Sequence, residues 1–78
     1  MNRYYSIYDK ESGIFLTPFV AQNDVDAIRI FKSNMRNSDF FSPFKEQFSL
    51  NYLFEFNPDD GSVLYNKVHL MNGSDVDD

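Results

Sequence analysis

The chain has no cysteine, no tryptophan, one histidine and only three glycines in 78 residues. Without cysteine there can be no disulfide framework, and one histidine makes no Cys/His cluster for a structural zinc. Three isolated glycines form no phosphate-cradling loop. No apolar run approaches the roughly 20 residues of a membrane-spanning helix, and the opening MNRYYSIYDKES lacks a signal-peptide hydrophobic region. A reducing cytoplasm, away from membranes, is the expected setting. Basic residues are scarce too, seven against twelve acids, for a formal charge of −5. Such a chain repels polyanions at long range, so only a local basic patch can support nucleic-acid binding.

The acidic excess is uneven. Asp75, Asp77 and Asp78 lie in the last four residues, which leaves nine acids against seven bases over residues 1–74. The body is near neutral. Met71–Asp78, rich in Gly, Ser and Asp, reads as an acidic disordered tail behind a single domain at residues 1–70.

Aromatic bulk is what the chain has in quantity: nine Phe and five Tyr, more than one small helix-on-sheet core needs. Each ring buries about 150–250 Å². The surplus must line a ligand face, seal an oligomer interface or pack half-exposed. A chain this short buries only about 60–65% of its unfolded surface. Small cores of this kind often recruit a second copy, so a homo-oligomer, a dimer first of all, is expected.

Residues 3–8, RYYSIY, have strand character, with Tyr5 and Ile7 on one side and Tyr4, Ser6 and Tyr8 on the other. DKESG is a polar turn. Ile14–Ala21 is a second strand, placing Phe15, Thr17 and Phe19 opposite Ile14, Leu16 and Val20, and Pro18 consigns it to a sheet edge or a bulge. Asn23 stands at an N-cap position with Asp24 and Asp26 in the first turn, and Asp26 holds the capping-box place. From there to Arg36 the spacing is helical: Ala27, Phe31 and Met35 share an apolar stripe edged by Ile28, while Arg29, Lys32 and Arg36 share another. In the Asn37–Gln47 loop, Phe40, Phe41 and Phe44 are expected to fold back on the core. Phe48–Phe56 alternates Phe48, Leu50, Tyr52, Phe54 and Phe56 with Ser49, Asn51, Leu53 and Glu55. NPDDG turns the chain into a last strand, Ser62–Leu70. The order β-β-α-β-β implies an α+β fold: a four-stranded, mainly antiparallel sheet with one helix across one face.

Catalytic chemistry is not visible. His69 stands alone near a strand end, with no nucleophile signature for it to serve. Asp59 and Asp60 belong to a turn and lack calcium-loop spacing. The chain is expected to be no enzyme and to need no cofactor. Two features can bind. One is the helix face of Arg29, Lys32 and Arg36, joined by Arg3 or Lys10; on charge alone it reads first as a solvated helix face. The other is the sheet face left bare by the helix, where Tyr4 and Tyr8 can stack unpaired bases or seal a dimer.

YYSIYDKESGIFLTPFVAQNDVDAIRIF, residues 4–31, resembles the small non-structural protein of gokushovirus-type bacteriophages, the single-stranded-DNA phages of the Microviridae. The matching words are Tyr5-Ser6-Ile7-Tyr8-Asp9, Pro18-Phe19 and Ala27-Ile28-Arg29-Ile30-Phe31, followed by the later hairpin at Leu50–Phe56 and Asn57–Gly61. Where that family commonly has Ile-Gly, this chain has Leu53-Phe54. The resemblance implies a protein made in the host bacterial cytoplasm and absent from the capsid. It implies DNA binding, single-stranded DNA above all, in genome replication or in the switch to single-strand synthesis and packaging. On that reading Arg29, Lys32, Arg36 and Arg3 contact phosphates, and Tyr4 and Tyr8 stack bases. The alternative is a dimeric interaction module that docks on the phage replication or capsid-assembly protein with little DNA contact, which the pI of about 4.5 favours.

Overall fold

The computed structural model describes residues 2–77. One antiparallel sheet of five strands carries one main helix: β1 (Asn2–Asp9), β2 (Ile14–Phe15), β3 (Phe19–Ala21), α1 (Asp24–Asn37), β4 (Phe48–Phe56) and β5 (Val63–Asn72). Short 3-10 turns cover Ser42–Gln47 and Gly73–Asp75. β1 pairs with β4 along one side and with β2 and β3 along the other, and β5 lies outside β4.

The expected fourfold sheet becomes fivefold because the second strand breaks. Phe15 pairs with Tyr8 and Phe19 with Tyr5, so the chain takes four steps where β1 takes three. Pro18 has no N–H to give the ladder. Buried Ser6 holds the detour in place, its hydroxyl donating to the Leu16 carbonyl. The extra residue also reverses a face. Ladder partners share a face and successive residues alternate, so Phe15 lies with Tyr8 and Phe19 lies with Tyr5, on opposite sides of the sheet.

A second irregularity does the same to β4. Tyr52 pairs with Tyr5 but Phe54 with the adjacent Tyr4, leaving Leu53 as an extra residue. Phe48, Leu50 and Tyr52 therefore face the helix, whereas Phe54 and Phe56 face away. The expected single stripe of five residues is two stripes, one on each face. The shift falls at Leu53-Phe54, where the chain departs from the family it resembles.

α1 forms as its sequence dictates. The Asn23 side chain accepts from the Asp26 N–H at 2.8 Å, and Ala27, Phe31 and Met35 are wholly buried with Ile28 at the margin. They pack on Tyr5, Ile7, Leu50 and Tyr52. Each large side chain so buried stabilises the fold by about 1.5–3 kcal/mol.

Two expectations about loops are corrected. Of the three phenylalanines after the helix Phe41 packs on the core, edge-on to Phe48 at 4.9 Å; Phe40 leans on Phe41 and Phe48 from outside and is 64% exposed, and Phe44 is 51% exposed. The stretch read as a disordered tail is largely docked. β5 runs on through Asn72, Asn72 and Asp75 cap each other across the Gly73–Asp75 turn, and Val76 is buried. The Arg36 Nε donates to the Asp77 carbonyl at 2.6 Å and the Lys45 Nζ to the Val76 carbonyl at 3.0 Å. One valine among acids and small residues is enough to seat the segment. Asp78 lies outside the described residues.

Candidate nucleic-acid interface

The cationic helix face exists, but two of its three members are engaged. Arg29, Lys32 and Arg36 line one shallow outer groove along α1 with Val25 and Ile28. The Arg29 guanidinium pairs with Asp26 one turn earlier and holds that carboxyl below its usual range. Arg36 donates to the Asp77 carbonyl. Among the described residues Lys32 makes no ion pair.

Arg3 does not join them. Its Nη1 donates to Glu55 at 3.0 Å, its Nη2 to Asp24 at 3.1 Å and its Nε to the Tyr5 hydroxyl at 3.0 Å, with the guanidinium 4.4 Å from the centre of the Tyr52 ring. The Tyr5 hydroxyl in turn donates to Asp24 at 2.7 Å. The hydrogen bond to Tyr5 and the neighbouring Asp24 hold the arginine's proton more tightly than usual, against a smaller opposing effect of burial. This network ties β1, β4 and the first turn of α1 together. With one cation between two carboxylates it has no charge left for a phosphate. The expectation that Arg3 serves as a phosphate contact is thus set against a structural role.

Tyr4 and Tyr8 stand on the sheet face away from the helix, as the alternation of β1 requires. Each has a ring partner that the strict period hid. Tyr4 stacks on Phe54 with centroids 4.8 Å apart, and Tyr8 tilts against Phe15 at 4.7 Å. Both partners reach this face through the two bulges. Ladder pairing adds Tyr65 beside Phe54, and Val63 beside Phe56. Tyr65 is 65% exposed.

The same face holds a shallow groove of about 610 Å³. Ser49 and Asn51 lie in it, with Tyr8 and Phe15 at one side and Lys67 and His69 at the other. Lys10 contributes at one end, and the Lys67 Nζ sits 5.5 Å from the centre of the Phe15 ring. The His69 Nε2 lies 2.9 Å from the Asn72 Oδ1.

The distribution of charge is the decisive geometry. In a chain with twelve acids, no ladder position on this face carries one. Asp9, paired with Phe48, and Glu55, paired with Arg3, both belong to the helix side, and the other acids among the described residues lie in loops, turns and α1. The formal charge of the open face is positive while that of the molecule is negative.

The residues singled out in the sequence therefore do not form one surface. Arg29, Lys32 and Arg36 lie on the outside of the helix, Arg3 is enclosed, and Tyr4 and Tyr8 lie on the opposite side of the sheet. Phe15, Phe54, Tyr65, Lys67 and His69 were not recognised. The alternation of Tyr65, Lys67 and His69 along β5 was the one legible signal for the last three.

Asp59 and Asp60 are turn residues in fact. The Asp59 N–H donates to the Asn57 side chain and the Ser62 N–H to the Asp60 carboxylate, both at 2.9 Å. The bond from Ser62 draws the Asp60 carboxyl below its ordinary range. Among the described residues no helix is long and apolar enough to cross a membrane.

A sequence model of the phage ORF5 protein family matches residues 2–76, nearly the whole chain. The chain belongs to that family. It is a bacteriophage protein. No curated protein and no solved structure matches it. The matched span of this ORF5-family protein includes both the helix face and the open sheet face, so only their chemistry can choose between them.

Proposed function

We propose that this ORF5-family protein is a non-enzymatic regulator that binds single-stranded DNA across the open face of its sheet. The observation that supports this most is the segregation of charge: an acid-free face with Lys10, Lys67 and His69 beside two exposed-side ring pairs, in a chain of net charge −5. Rings lying in a face of this kind can take unpaired bases, each stacked base contributing about 1–3 kcal/mol. A duplex hides those base surfaces and offers the rings nothing. Lys10 and Lys67 neutralise backbone phosphates, above buried Ser49 and Asn51, whose amide donates to the Ser49 hydroxyl. The resemblance to Microviridae proteins supports a role in replication, or in the switch to single-strand synthesis and packaging, in the host cytoplasm.

Fluorescence anisotropy of a labelled oligonucleotide tests it. Tyr8→Ala with Phe15→Ala should weaken binding about tenfold or more, the loss of one stacked base. Arg29→Ala with Lys32→Ala should change it little. Binding that survives the first pair and is lost in the second would move the interface to the helix; no binding by the wild-type protein would remove DNA from its function. The second reading, a module that docks on the replication or assembly machinery, draws on the exposed apolar residues Val63, Leu64, Tyr65 and Val68 of β5.

A further inference from the structure

We infer that β5 is the interface of a homodimer, in which two copies join edge to edge by antiparallel pairing about Asn66. The two edges of the sheet are built differently. The β2–β3 edge is short and interrupted at Pro18, which leaves little for another strand to pair with. The β5 edge is ten residues long and contains neither proline nor acid, with Lys67 as its one permanent charge. Val63, Leu64, Tyr65 and Val68 on it are 58%, 63%, 65% and 41% exposed. Of the devices that keep an edge from pairing, proline, acid and short length are missing here, while Lys67 and the register shifts against β4 at 65–68 and 69–71 are present.

The occupant follows from the strand's own order. A two-fold axis through Asn66, normal to the sheet, sets Leu64 opposite Val68 of the second copy and Tyr65 opposite its Lys67. Val63 then meets His69. Apolar residues meet on the helix side, and on the open side Lys67, whose ammonium lies over the Phe15 ring of its own chain, stands opposite Tyr65. Moving the axis to Lys67 would set two ammonium groups directly opposite one another, which disfavours that register. A strand that complements itself under a two-fold axis is the signature of an isologous interface.

One consequence concerns the open face. An axis normal to the sheet keeps both helices on one side and both open faces on the other. The acid-free surface then runs unbroken through the pair, with Lys67 and His69 of both copies near its centre. The dimer does not rest on the DNA reading, and its test contains no DNA.

Sedimentation velocity of the full chain over a range of concentrations should give a species of twice the 9.2 kDa monomer. An interface of one strand edge is small, near the lower end of about 1,200 Å² for specific pairs, so dissociation on dilution is expected. Leu64→Lys with Val68→Lys should stay monomeric at every concentration while keeping the wild-type circular dichroism, because both side chains are exposed in the single chain. Asn66→Cys supplies the second test. The chain has no other cysteine, and oxidation should link two copies through the axis, whereas Ser12→Cys in the exposed β1–β2 turn should not link. A wild-type chain that remains monomeric, a dimer that survives the double lysine variant, or an Asn66→Cys protein that links no faster than Ser12→Cys would each overturn the inference.

Discussion

Gly73 offers the sharpest test of how the C-terminal segment is held. A methyl group on its Cα would overlap the Lys45 carbonyl oxygen, lie 2.7 Å from the Lys45 carbonyl carbon and 3.0 Å from the Phe48 carbonyl oxygen. All three are main-chain atoms and cannot rotate aside. In Gly73→Ala the two 3-10 turns must separate, and overpacking of this sort costs about 1–3 kcal/mol before anything is lost. Separation then exposes Val76, whose burial is worth about 1.5–3 kcal/mol, and loosens the bonds from Arg36 and Lys45 to the chain end. A total of about 2.5–6 kcal/mol is expected, a large share of the roughly 4–12 kcal/mol available to a domain of this size. At about 4–8 °C per kcal/mol, the melting temperature should fall by at least about 10 °C.

Gly61→Ala is the control. Gly61 has φ +75° with nothing within 4 Å of a new methyl, so its penalty is the conformational one of about 1–2 kcal/mol. Thermal melts by circular dichroism should rank Gly73→Ala below Gly61→Ala. Val76→Ala completes a double-mutant cycle: costly in the wild type, nearly silent once Gly73→Ala has lifted the segment. A Gly73→Ala protein as stable as the Gly61→Ala control, or full additivity with Val76→Ala, would refute the docking.

Two further changes act on the core. Burial raises the Tyr5 phenol above its ordinary value of 10.0. A raised value means that the stability contributed by the neutral phenol is complete below about pH 10 and is lost as pH rises through the higher folded value. The urea midpoint should therefore drop above pH 10, less steeply in Tyr5→Phe; Tyr52, raised by burial and by Glu55, keeps a residual slope. An equal slope in both proteins would contradict this. Asn23→Ala removes the acceptor for the Asp26 N–H and should cost about 1 kcal/mol in urea denaturation; an unchanged midpoint would contradict the cap.

The helix was legible because its information is local. Asn23 signals a cap, and the spacing of Ala27, Phe31 and Met35 states a buried stripe without reference to any other element. The strand faces were half legible. Period-two reading places Tyr4 and Tyr8 correctly on β1, because the extra residues lie in the strands on either side of it and not in β1 itself. It fails on Phe15, Phe54 and Phe56, since a bulge is a relation between two strands and reverses every side chain beyond it. Pro18 gave warning of the first bulge; the second was signalled only by Leu53-Phe54 standing where the resembled family has Ile-Gly, not by any break in the period. The tail misled for another reason. Composition weighs Gly, Ser and Asp as disorder, whereas a turn around Gly73 and a single buried Val76 suffice for docking. The site suffered from both failures, because its rings arrive by bulges and its charge is set by which acids the topology sends elsewhere.

That partition of charge makes a prediction that a uniformly basic binder would not share. The molecule measures 41 × 24 × 18 Å, so acids on the helix side lie within its 18 Å thickness of a strand on the open face. Screening decides whether the strand feels them. At 0.01 M salt the Debye length is about 30 Å and the whole net charge of the chain acts; at 0.15 M it is about 8 Å and only the near face does. Ordinary counterion release lowers affinity steadily with salt, with a slope of about −0.7 per phosphate neutralised on a single strand. Here long-range repulsion opposes binding at the lowest salt, so affinity for a labelled oligonucleotide should rise on first adding salt and fall only afterwards. Mutating Lys67→Ala should flatten the falling limb by about 0.7 and leave the rising limb in place. If affinity instead declines from the lowest salt upward, the strand senses the acidic charge too little for the two faces to be electrically distinct, and the case for the open face loses its main support.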